Sequence, residues 1–121
     1  MSETRSEIVW YLLVEVLLFA FAALAHGGVI MQGHENARAA AMETAVAVIL
    51  GGGVIMSFVS PAQTRVVALI TQGLALAGVV AGLFMVALGL EPRTLANLVV
   101  LAIMLITVTL GLIVAKRGMP T

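Results

Sequence analysis

The sequence predicts an all-α integral membrane protein: four transmembrane helices in an up-down-up-down bundle, forming one domain over residues 1–121. Three observations carry that expectation. Of the 121 residues, 62% are hydrophobic and 10% charged, whereas about a quarter of a soluble domain is charged. Four apolar runs, at about 8–31, 39–59, 66–90 and 95–115, are each near or above the roughly 20 residues a helix needs to cross the hydrocarbon. The connections "QGHENAR" from Gln32, "SPAQTR" from Ser60 and "GLEPRT" from Gly89 are short and rich in turn residues, so consecutive helices should be antiparallel neighbours.

The first run contains "YLLVEVLLFAFAALAHGGVIM". Trp10 and Tyr11 stand near its start, where amphipathic rings settle at headgroup depth. Its "ALA" at Ala23 to Ala25 has the small-x-small form of a signal-peptide cleavage site, but "MSETRSE" lacks a net positive region and Glu15 interrupts the apolar stretch, so a retained span is expected. The second run carries "GGG" at Gly51, Gly52 and Gly53, which should soften the helix near its middle; a kink or unwound turn there would expose carbonyls to a cavity. The third has "GVVAG", Gly78 to Gly82, and the fourth "GLIVA", Gly111 to Ala115. These small residues allow close helix approach, and packing is their expected use.

Arg5, Arg65, Lys116 and Arg117 would share one side of the bilayer, against Arg38 and Arg93 on the other. By the positive-inside rule this predicts cytoplasmic termini if the chain resides in a bacterial inner membrane. "GHENAR" at Gly33 and "GLEPRT" at Gly89 form a faint echo of a duplicated hairpin, although short loops often combine Gly, an acid and an Arg.

Six Lys and Arg balance six acids, all glutamate. There is no basic face for nucleic acid and no polybasic lipid anchor. The absence of cysteine excludes disulfides, thiolate catalysis, Cys-ligated zinc and iron–sulfur clusters. No cofactor is expected.

The candidate functional residues are the polar ones inside the spans: Glu15, His26 and Glu43. Glu15 and His26 are separated by about 20° in azimuth and roughly 16 Å along a helix axis, and Phe19 and Ala22 lie on the same stripe. That face should look into the bundle, because an ionisable group is costly in lipid. If the first hairpin turns around residues 34 and 35, His26 and Glu43 sit at equal depth and can meet. The pair could relay protons, bind a cation or pin two helices together. Glu15 has no partner at its own depth, where the second helix offers Val54, and a neutral acid donating a hydrogen bond is one reading and a proton-exchanging carboxylate the other. Gln72, Ser57, Thr107 and Thr109 are the candidate partners elsewhere. His26, His34, Glu35 and Glu43 cluster at one end of the first hairpin, yet their spacing matches no standard metal motif, so no metal is expected.

"LLVEVLL" around Glu15, with four spans in a chain just over a hundred residues, superficially resembles the small multidrug resistance transporters, whose first helix carries a proton- and substrate-binding glutamate. The chain departs from that pattern. The lysine that follows the glutamate in that family is replaced by "FAFAALAHGG", and only Phe58 and Phe84 supply aromatics in the second and third spans. The resemblance extends to Glu15 and the architecture, and no family is assigned.

The expected function is therefore a non-catalytic packing or accessory subunit of a homo- or hetero-oligomeric membrane assembly, partnered by lipid and by other chains. The alternative is a proton- or cation-linked transporter using Glu15, His26 and Glu43. An intramembrane enzyme with His26 and Glu43 as acid and base ranks third, for want of a nucleophile or cofactor motif.

Overall fold

The computed structural model describes residues 3–29, 36–91 and 94–117. It is all-helical: α1 (Glu3–His26), α2 (Ala37–Val59), a short 3-10 turn (Pro61–Gln63), α3 (Thr64–Ala87) and α4 (Leu95–Lys116). All four α-helices are long and apolar enough to cross a membrane.

Helix ends are set by caps rather than by hydropathy. The apolar run predicted to reach residue 31 leaves the helix after His26, because Gly28 adopts φ 77°, a left-handed conformation that costs a side-chain-bearing residue about 1–2 kcal/mol. Gly28 N–H donates to Ala25 O at 3.2 Å and Val29 N–H to Leu24 O at 3.0 Å, the paired bonds of a Schellman ending. Gly89, φ 78°, closes α3 the same way: its N–H reaches Val86 O at 3.1 Å and Leu90 N–H reaches Met85 O at 2.8 Å. α3 therefore ends at Ala87, ahead of the predicted residue 90. Asn36 caps α2 by accepting from Ala39 N–H, and Thr94 caps α4 by accepting from Asn97 N–H, both at 3.1 Å.

No unwound turn occurs at Gly51–Gly53. α2 is continuously helical through all three; in apolar surroundings the backbone has no substitute for its own hydrogen-bond ladder. Gly53 uses its missing side chain for packing, since a Cβ there would lie 3.1 Å from Thr71 Oγ1. Gly78 and Gly82 likewise admit Val46 and Leu101. Gly51 and Gly52 face open space, whereas Ala115 is buried.

Among the described residues α1 packs most extensively on α2, and α1 and α3 approach across the centre, whereas α2 and α4 make no close approach. α2 and α4 thus lie on opposite sides of an α1–α3 diagonal. Phe19, Leu50, Ala75 and Val108, one from each helix, are all fully buried. The outer surface is apolar too: Leu17 is 70% exposed, Val48 69% and Phe84 64%.

Candidate functional site

Polar side chains gather at three depths. The deepest group surrounds Glu15, which is fully buried, as are Gln72 and Ser57. Glu15 and Gln72 converge because Gly111 has no side chain. A Cβ built on Gly111 would overlap Gln72 Oε1 and come within 2.6 Å of Glu15 Oε2. Gln72 Nε2 donates to Ala68 O at 3.1 Å, which fixes the amide with Oε1 turned toward the carboxyl, since a carbonyl cannot face the Ala68 carbonyl. Neither Glu15 oxygen nor Gln72 Oε1 has a hydrogen-bond partner as the heavy atoms stand. A proton on Glu15 would supply the missing donor, because a neutral carboxyl could donate to Gln72 Oε1. Of the other sequence candidates, Ser57 Oγ donates to Gly53 O at 2.8 Å, and Thr109 is exposed.

Toward the chain termini, Arg5 closes the group. Its Nη2 donates to Ser57 O at 2.6 Å and its Nε to Thr64 Oγ1 at 3.2 Å, while the guanidinium lies 6.0 Å from the centre of the Phe58 ring. Arg5 was legible only as a counted positive charge; its role is to tie the start of α1 to the junction of α2 and α3.

At the opposite end, His26 and Glu43 come together. His26 Nδ1 lies 2.6 Å from Glu43 Oε1, with the side chains 14% and 4% exposed. This contact fixes Nδ1–H as the donor when the carboxylate is charged and leaves Nε2 for another group. The chain returning to α2 is tied to the same place, because Asn36 N–H donates to His26 O at 2.7 Å. Asn36 Nδ2 also hydrogen-bonds Glu91, and Arg38 Nε stands 3.9 Å from Glu91 Oε1. His26, Glu43, Arg38 and Glu91 line a cleft of about 90 Å³, with Met42, Met85 and Leu101 among its apolar walls. The cleft lies where α2 and α4 diverge over α3.

The sequence reading assigned Glu91 and Arg38 to loops and orientation. Their convergence was available from topology alone: the first and third connections belong at one end of such a bundle. His34 and Glu35, the remaining members of the predicted cluster, lie outside the described residues. Among the described residues no group of three His, Asp or Glu side chains is placed to hold a metal ion.

Glu15 and the His26–Glu43 pair do not form one site. One helical turn from Glu15 toward His26 stands Phe19; one turn from Gly53 stands Leu50; one turn from Gln72 stands Ala75; one turn from Gly111 stands Val108. All four are fully buried, so an apolar layer separates the two polar groups. The arrangement can hold a proton at Glu15 and a proton or hydrogen-bonded ligand at His26–Glu43, but the four buried side chains packed between them, Phe19, Leu50, Ala75 and Val108, are all apolar; Thr107, beside Val108 on α4, is half-buried. Comparison with protein-family models, curated proteins and solved structures finds no match for the chain.

Proposed function

We propose that the chain is a non-catalytic subunit of a larger membrane assembly, inserted as an up-down-up-down bundle with both termini on one side. The observation that carries this reading is the Phe19–Leu50–Ala75–Val108 layer: with a sealed centre, a single chain has more to offer through its surface than through its interior. The surface supports the same reading. A glycine in a helix interior costs about 1 kcal/mol relative to alanine, and at Gly51, Gly52 and Gly73 none of the described residues occupies the space a side chain would fill. In a bilayer, small residues left open on a helix are suited to a second helix.

Native mass spectrometry of the protein, gently extracted from its own membrane, tests the proposal. The expected result is a stable oligomer or a complex with a foreign chain, lost when Gly52→Leu places a bulky side chain on α2. A chain that is monomeric under conditions that preserve other membrane complexes overturns it.

A second reading, a proton- or cation-linked transporter, is favoured by the His26–Glu43 pair beside an open cleft. It requires the Phe19 layer to part during the cycle. Proton-driven flux in liposomes, abolished by Glu15→Gln and Glu43→Gln with assembly intact, would favour this reading over the first.

A further inference from the structure

The cleft beside His26 is richer in acceptors than a packing defect would be. With Oε1 of Glu43 taken by His26 Nδ1, Oε2 of Glu43 and Nε2 of His26 are left, and Glu91 adds a second carboxylate to the lining, with its Oε2 accepting from Asn36 Nδ2 and its Oε1 turned toward Arg38. Among the described residues Arg38 is the guanidinium on the cleft; its side chain is 67% exposed and stands 3.9 Å from Glu91, so water screens much of its charge. Among the described residues on the lining, two carboxylates stand against one guanidinium, with the Asn97 amide and the His26 ring as the other polar groups. An anion is disfavoured by two carboxylates, and a metal ion by the lack of three ligands gathered among the described residues.

Size narrows the choice. A cavity of about 90 Å³ accommodates roughly three water-sized groups at about 30 Å³ each, which is enough for an ammonium and its first carbons. The walls suit those carbons: Met42 and Met85 are unbranched, polarizable side chains that adapt to an apolar guest. The remainder of a longer chain would leave along the open side between α2 and α4. We propose that the cleft binds a small amphiphilic amine, its ammonium held by Glu43 and Glu91 and its carbon chain lying on Met42, Met85 and Leu101. This binding does not depend on the assembly proposed above.

The test uses methyl-¹³C methionine NMR of the full chain in uncharged micelles, titrated with n-hexylammonium, hexanol and hexanoate. The expected result is a saturable shift of the Met42 and Met85 methyls with the ammonium, about tenfold or more weaker with the alcohol, as a charge-assisted contact requires. Hexanoate should leave them unmoved. Met56, on the outer surface, reports partition into the micelle, and buried Met104 reports the fold. Glu91→Gln should weaken the ammonium but not the alcohol, and Arg38→Gln should strengthen it. Ala81→Leu, projecting from an exposed position on the cleft wall, should abolish the shift. Equal shifts for ammonium and alcohol, equal movement of Met56, or indifference to both charge substitutions with Met104 unchanged would overturn the proposal.

Discussion

Gly111 decides whether Glu15 and Gln72 can share a space. Gly111→Ala puts a methyl group where Gln72 Oε1 lies, and the amide must shift away from its bond to Ala68; overpacking of this kind costs about 1–3 kcal/mol. A drop in thermal unfolding temperature in detergent checks this, and an unchanged temperature would show that the site has slack. At Glu15 the two replacements should separate. Glu15→Ala leaves Gln72 Oε1 buried without a donor, at a cost of about 1–3 kcal/mol, whereas Glu15→Gln supplies an N–H and should cost less. Equal losses by the same assay would mean that Glu15 does not serve as a donor. For His26 and Glu43, a double-mutant cycle with Ala should give a coupling of about 1 kcal/mol, the scale of interhelical hydrogen bonds in bilayers; no coupling would remove the pair as a structural link. The meeting of these two residues was legible from hairpin symmetry, because depth follows directly from chain position. The Glu15–Gln72 approach was only one of four sequence options, because azimuth between non-consecutive helices depends on how the bundle packs.

The helices themselves were legible in outline, and their ends were not. Hydropathy continues through Val29 and past Leu88, so an apolar run overshoots a helix that has already stopped. What stops it is a backbone angle at Gly28 and Gly89; the local signals in the sequence are those glycines, with His26 in the last turn of α1 and Pro92 just beyond α3. Among the described residues a Cβ on Gly89 would meet nothing within 4 Å, so Gly89→Ala reports chiefly the conformational cost. The expected loss is about 1–2 kcal/mol, read as a lower unfolding midpoint; no loss would mean that the turn can relax. The "GGG" run misled for the complementary reason. Glycine permits unwinding but does not cause it, and an apolar environment penalises every broken backbone bond. Gly53 is packed on Thr71 while Gly51 and Gly52 are open, a division that composition cannot make because it depends on which side of α2 faces α3.

For the whole molecule, the insertion topology is open to a direct test. The chain has no cysteine, so a single introduced thiol reports its side without background. Thr4→Cys and Arg117→Cys should both be shielded from an impermeant maleimide in intact bacterial cells and labelled after the membrane is opened. Labelling of either before opening would contradict the proposed orientation. By itself the sequence determined that the chain makes four long apolar helices, since composition and run length measure the cost of exposing backbone and side chains to water or lipid. It also placed His26 opposite Glu43, since a short hairpin leaves depth no freedom. The tertiary structure decided what lies between those points: the layer that separates Glu15 from His26, the cleft that joins Glu91 and Arg38 to the pair, and the glycine that admits Gln72. These depend on the rotation of each helix about its axis, which is fixed only when all four side-chain surfaces interlock.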